Sequence, residues 1–235
     1  MGASCNSGGS GQSGYVQIFG TAVIPDVLSC VLLARDLKCG DLVEVKPGEH
    51  TSWSKLRINP FGELPSLQDG DFFLAEETTI LRYLANTYAP ERYGGMDPER
   101  KAVIDWALDW CRRVFDQHLQ RLVHPILGLP LVEQEEPANK NPQRGVKNTE
   151  ATTVLGVFAQ KFLSKSTFVG GELPLTIADY KCGTAFWLVG HATVKAKTGF
   201  DLPQRIRRYV QDFLKGTDNS DLFDSVDEAL RAKAK

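Results

Sequence analysis

Asp69-Gly70 lies between two short runs of strand-forming residues, 64–68 and 71–74. This dipeptide tolerates positive φ and closes a tight hairpin, which limits what can surround it. Upstream, residues 16–19 alternate as a strand and residues 20–25, from Gly20 to Pro25, form a loop. Val27, Cys30, Val31, Ala34 and Leu37 then recur at helical spacing, and residues 42–45 read as a second strand. One helix between these strands makes them parallel, with a right-handed crossover. After the hairpin a helix starts near Glu76, with Ile80, Leu81, Leu84 and Tyr88 on its buried side. The order β-α-β-β-α describes a compact α/β domain over residues 15–88.

The remainder reads as all helical. Residues 89–97 carry Pro90 and Gly94-Gly95 and form a linker. Asp97-Pro98 supplies a cap and a proline in the first turn of a helix striped by Val103, Trp106, Ala107, Trp110, Val114 and Leu122. Residues 137–148 are polar and irregular. A helix from about residue 149 carries Val154, Leu155, Phe158 and Phe162. Thr176 and Asp179 form a capping box ahead of Ala185, Phe186 and Val189. The helical domain is expected over 98–228, with 203–214 as its last clear helix and 229–235 as a fraying tail. The Gly/Ser/Asn-rich residues 1–14 read as a flexible leader. Gly2 and Cys5 suggest acylation sites, but Asn6 stands where the myristoylation pattern wants Ser or Thr. Membrane attachment is expected only if those two residues are acylated.

Several function classes are excluded by composition. The chain has 27 basic and 29 acidic residues and no dominant basic run to meet a phosphate lattice, so no nucleic-acid partner is expected. No stretch approaches the ~18 apolar residues of a membrane span, and a cytoplasmic location follows. The five cysteines (Cys5, Cys30, Cys39, Cys111, Cys182) include no C-x-x-C pair, and neither they nor the four histidines have metal-ligand spacing. Free thiols and no metal are expected, with redox use of Cys30 or Cys39 as the alternative.

One region carries a family signature: Gly48-Glu49-His50, then Asn59-Pro60-Phe61-Gly62-Glu63-Leu64-Pro65-Ser66-Leu67-Gln68-Asp69-Gly70-Asp71, then Leu74-x-Glu76 and Ile80-Leu81-Arg82-Tyr83-Leu84-Ala85. Its unbroken spacing closely resembles the N-terminal domain of phi- and theta-class glutathione transferases. Leu175-Thr176-Ile177-Ala178-Asp179 is similar to that family's helix-capping motif. The resemblance implies a thioredoxin-like domain followed by an all-α domain, with glutathione as co-substrate and no other cofactor. It implies a cis Pro65, leaving the amide and carbonyl of Leu64 to pair with the cysteinyl backbone as in strand addition. Glu63 takes the family's Gln position, His50 would lie near the glycyl carboxylate, and Glu76 near the γ-glutamyl amine. Trp106, Trp110, Val114 and Phe115 are the candidates for an apolar co-substrate pocket, and a homodimer is implied.

The sequence departs from that pattern twice. The family's serine hydroxyl, which would hold the thiolate, falls on Ile24, or on Val23 if the loop is one residue shorter, and neither can donate. A hydrogen bond to a charged group is worth about 1.5–3 kcal/mol, one to two decades in rate. Thr21 is the nearest hydroxyl; Ser29 and Cys30 lie a turn or more into the helix. Glu77 stands where the family has a serine that receives the γ-glutamyl carboxylate. Two carboxylates about 4 Å apart repel by roughly 4 kcal/mol at an effective dielectric near 20, unless Glu77 is protonated or turned to solvent. Either Glu77 points outward, or the pair Glu76-Glu77 selects a thiol with an additional amine. Two functions follow: conjugation of a glutathione-type thiol to apolar electrophiles, or related peroxidase or isomerase chemistry; and a non-catalytic binding or assembly module like the elongation-factor gamma N-terminal region. A thiol oxidoreductase through Cys30 or Cys39 would lack the cysteine needed at the helix start.

Overall fold

A computed structural model describes residues 15–46, 49, 57–129, 144–172 and 174–233. The expectations for residues 1–14 and for His50 lie outside the described residues. The first domain holds β1 (Val16–Gly20), α1 (Pro25–Asp36), β2 (Gly40–Glu44), β3 (Ser66–Asp69), β4 (Phe72–Ala75) and α2 (Glu77–Tyr88). The strands form one mixed sheet in the order β2-β1-β3-β4. β1 runs parallel to β2, with Ile18 opposite Leu42, and antiparallel to β3, with Ile18 opposite Leu67. The hairpin closes at Gly70, whose φ of 58° is the left-handed value foreseen for that turn. This is the thioredoxin-like sheet.

α1 departs from a one-sided amphipathic helix. Val27, Cys30, Val31 and Ala34 are buried as their spacing predicts, but Leu28, Leu32 and Leu33 are buried too. The second face packs against α6 (Ile177–Val189) of the helical domain, so α1 sits between the sheet and α6. At Gly20 a Cβ would lie 2.5 Å from Val27 Cγ2, so the missing side chain lets the end of β1 press on the first turn of α1. Tyr88, expected in the core, is half-buried, because its hydroxyl reaches out to donate to Asp69 Oδ2 at 2.8 Å.

A 3-10 turn (Pro90–Tyr93) fills the linker and leads to α3 (Pro98–Trp110), where Asp97 Oδ1 accepts from the amides of Glu99 and Arg100. A π-helical turn (Cys111–Phe115) joins α3 to α4 (Asp116–Leu127), followed by α5 (Arg144–Phe162), α6, α7 (Ala192–Thr198), α8 (Gln204–Gly216) and α9 (Ser220–Lys233). None of the described helices is long and apolar enough to cross a membrane. The buried face of α3 is Ile104, Ala107 and Leu108, continued by Cys111 at the start of the π-helical turn, whereas Val103 and Trp106 are 37% and 49% exposed. The large side chains that define the stripe in sequence turn outward because small Ala107 and Cys111 admit α6, whose Cys182 Sγ comes to 3.9 Å from the Ala107 carbonyl.

Other boundaries also move. α5 begins at Arg144, inside the stretch read as irregular, and α9 continues to Lys233 through residues expected to fray. Phe223, Val226 and Leu230 of α9 are buried, and Lys233 Nζ donates to the Leu127 carbonyl, which holds the last turn down. The spacing of those three residues is helical and was readable in the sequence. The capping box at the start of α6 forms, and Asp179 serves more donors than a box requires. Its Oδ2 accepts from the Thr176 amide (2.8 Å) and its Oδ1 from the Val169 amide (2.9 Å) and the Tyr209 hydroxyl (2.8 Å).

Candidate functional site

The loop before β3 is braced by one buried side chain. Asn59 Nδ2 donates to the Glu63 carbonyl at 2.8 Å, and Asn59 Oδ1 accepts from the Phe61 amide at 3.0 Å. Ser66 Oγ donates to the same Glu63 carbonyl, and Gly62 turns the chain at φ 70°. The Leu64-Pro65 peptide bond is cis, and Glu63 is exposed. No backbone hydrogen bond among the described residues uses the amide or carbonyl of Leu64. A backbone pair left this way is what an extended peptide would need for strand addition.

The start of α2 follows one hairpin later. Glu76 is exposed and has φ 71° and ψ 121°, outside the regions open to a residue with a Cβ, a conformation that costs about 1–3 kcal/mol. The first helical bond runs from the Ile80 amide to the Glu76 carbonyl, and no side chain caps the turn. The preceding amides of Glu77, Thr78 and Thr79 therefore fall in the turn that an anion can occupy.

Of the courses foreseen for Glu77, the outward one and the acidic pair are not taken, while a carboxyl that holds its proton more tightly is what its burial favours. Its side chain does not point outward, nor does it stand beside Glu76 as half of an acidic pair; it is buried between the domains. Oε1 accepts from Ser29 Oγ of α1 and Oε2 from Lys181 Nζ of α6. Lys181 Nζ also lies 3.2 Å from Asp116 Oδ2 of α4 and 3.7 Å from Asp26 Oδ1 of α1. Burial raises the Glu77 carboxyl well above the usual carboxylate range, with Asp26 and Asp116 adding to it and Lys181 opposing. Burial alone would discharge Lys181, but Glu77, Asp26 and Asp116 outweigh it and keep the ammonium protonated. The π-helical turn just before Asp116 sets the phase of α4 that faces Lys181. Neither Lys181 nor Asp116 was singled out from sequence. A lone lysine within the otherwise apolar run of α6 was the signal available.

At the start of α1, Ile24 is the N-cap and makes no side-chain capping bond, with Pro25 next in the chain. The Thr21 carbonyl accepts from the Ile24 amide at 3.0 Å. The Thr21 hydroxyl, half-buried in the same loop, has no hydrogen-bond partner among the described residues. Ser29 is engaged by Glu77. Cys30 is fully buried, and burial, then Glu77, pushes its thiol well above the ordinary range; Cys39 is raised by burial to about 11. Neither thiol has the electropositive, accessible setting of a reactive cysteine.

The four apolar-pocket candidates are not brought together on one wall. Phe115 is fully buried, edge-on to Phe186 at 4.8 Å between ring centroids. Trp110 packs against Phe158 at 4.9 Å in the same aromatic core, while Trp106 lies on an outer face beneath the Lys161 ammonium. Val114 is half-buried in the π-helical turn. Aromatic spacing in this domain reports the core, as large side chains at helical intervals usually do.

The comparisons with known proteins agree with this geometry. A family model described as "Glutathione S-transferase, N-terminal domain" matches residues 28–92, beginning just past the loop that carries Thr21 and Ile24. A glutathione S-transferase of Hyoscyamus muticus is 28% identical over 211 residues, covering 85% of this chain and 93% of that protein. Human glutathione S-transferase theta-2B is 31% identical over 150 residues, 61% of this chain and 57% of its own length. The solved structure of human glutathione transferase theta-2, in complex with glutathione and an unknown ligand, superposes with a TM-score of 0.71 at 23% identity, over 93% of this chain and 88% of that one. The assembly-module alternative is not favoured by these relatives. The mixed four-stranded sheet, the cis Leu64-Pro65 loop and the α6 capping box give the chain the fold of the glutathione S-transferases, and its sequence is similar to theirs, most directly over residues 28–92.

Proposed function

We propose that the chain binds glutathione, or a closely related γ-glutamyl thiol, beside Pro65 and transfers its sulfur to apolar electrophiles. The observation that carries this reading is the withdrawal of the Glu77 carboxylate into the domain interface. It removes the like charge that would otherwise oppose a γ-glutamyl carboxylate at the start of α2, and it leaves the helix amides and the macrodipole to receive that group. In this reading the Leu64 amide and carbonyl hold the cysteinyl backbone, Glu63 lies beside that contact and Glu76 takes the peptide's amine. His50 keeps the glycyl carboxylate that the resemblance gives it. No cofactor beyond the thiol co-substrate is needed.

Thr21 is the hydroxyl we assign to the thiolate, since it sits on the loop before α1 and no other group among the described residues uses it. Replacing it by valine should lower kcat/KM about 10- to 100-fold, the equivalent of ~1.5–3 kcal/mol, with little change in glutathione affinity. The same reading makes the protein a cytoplasmic homodimer acting in detoxification, which sedimentation of the purified chain tests for the dimer. The decisive experiment is a calorimetric titration with glutathione followed by turnover of a chlorodinitrobenzene. Micromolar to millimolar binding with conjugate formation is the expected result; absence of both overturns the reading.

A further inference from the structure

We propose that Lys181 is a positioning residue for peptide recognition: it draws the Glu77 carboxylate out of the γ-glutamyl carboxylate site, so the helical domain sets what the thioredoxin-like domain accepts. The inference rests on the glutathione reading and deepens it. Glu77 is the first residue of α2, so its backbone amide and its carboxylate start from the same Cα. The amide belongs to the turn that would receive an anion, and the carboxylate can either share that turn or leave it. It leaves, and both of its oxygens are occupied in the interface, one by Ser29 Oγ and the other by Lys181 Nζ.

Ser29 alone is a neutral donor and cannot balance a buried charge. The only cation that faces Glu77 there, among the described groups that act on it, is Lys181, and α6 carries it into a site that is otherwise closed, its side chain 2% exposed. The remaining charges in the cluster are acidic. Asp26 from α1 and Asp116 from α4 both lie within 3.7 Å of the ammonium and both act to raise Glu77. Without Lys181, Glu77, Asp26 and Asp116 would face one another with only Arg112, which acts on Asp116, to offset them. Asp26 already stands in the solvated first turn of α1, and the buried Glu77 can relieve the repulsion by turning to the N-terminal turn of α2. That end is the place a γ-glutamyl carboxylate would occupy. Lys181 therefore acts on the ligand only through Glu77.

The test is isothermal titration of the full chain with two probes: glutathione, and its analogue with the γ-glutamyl α-carboxylate removed. For Lys181→Met, glutathione affinity should weaken at least about tenfold, while affinity for the decarboxylated analogue stays within about threefold. The double variant Glu77→Ser with Lys181→Met should return glutathione affinity to within about threefold of the parent, since no acid is left to be restrained. Equal losses on both probes, or no rescue by the double variant, would mean general damage to the interface and would sink the proposal. So would unchanged glutathione affinity in Lys181→Met. If Lys181→Met does not fold, Glu77→Asp and Glu77→Gln decide the matter with Lys181 in place. The aspartate is too short to reach across the interface and keeps its charge near its own amide, so it should weaken glutathione and spare the analogue. The glutamine carries no charge and should weaken neither, and a glutamine variant as weak as the aspartate one overturns the idea. Failure of the parent protein itself to bind glutathione is a separate result, and it removes the underlying reading along with the inference.

Discussion

Glu76 and Glu77 are adjacent acids with opposite fates, and each yields a prediction. Glu76 holds φ 71° with a Cβ present. Glycine would relieve that strain, so Glu76→Gly should raise stability by about 1 kcal/mol, after glycine's larger unfolded-state entropy is set against ~1–3 kcal/mol of strain. The same change should weaken binding of a γ-glutamyl amine, so that chemical denaturation and peptide titration move in opposite directions. Glu77 is raised above its unfolded pKa by burial. A raised carboxyl favours the folded state fully below the unfolded value and loses that contribution as pH climbs through the folded one. Between about pH 5 and about pH 8 the parent should therefore lose stability that Glu77→Gln does not lose, read as a flatter pH profile of urea midpoints in the variant. The burial of Glu77 could not be read from its neighbours in sequence, because its partner is supplied 104 residues later.

At the scale of elements, legibility followed whether a signal was local. The hairpin at Gly70, the α6 capping box and the Asp97 cap were readable because their donors and acceptors lie within a few residues. The outward turn of Val103 and Trp106 and the second buried face of α1 were not, since both are set by the approach of α6. α6 is accordingly the element on which the architecture depends most, and its cap is the sensitive point. Asp179→Asn places an amide donor against at least one of the donors from Val169, Thr176 and Tyr209. The expected cost is about 3 kcal/mol or more, because a buried donor is left without an acceptor. A stability loss, from the urea midpoint and slope, of less than a third of that would show that the helix start relaxes around the change.

On the scale of the whole molecule, consecutive residues of α6 fasten the two ends of α1. Lys181 meets Asp26 and Glu77 at one end, and Tyr180 donates to Asp36 Oδ2 at 2.6 Å at the other. Asp36 Oδ1 also accepts from Asn219 Nδ2 at 2.6 Å and from Thr217 Oγ1 at 3.2 Å, which brings the α8 to α9 connection into the same joint. The domains should therefore unfold as one cooperative unit. Asp36→Ala is expected to cost about 2–3 kcal/mol and to broaden or split the transition followed by circular dichroism and tryptophan fluorescence. The interdomain ion pair also bears on which residues can stand together at such a joint. Where Asp26 and Asp116 are present, a lysine at position 181 has two acids to receive it even without Glu77, whereas a glutamate at position 77 without that lysine faces those two like charges. Among similar chains that carry both aspartates, a lysine at position 181 with a serine at position 77 should therefore be the commoner combination and a glutamate at 77 without that lysine the rarer one, which an alignment checks.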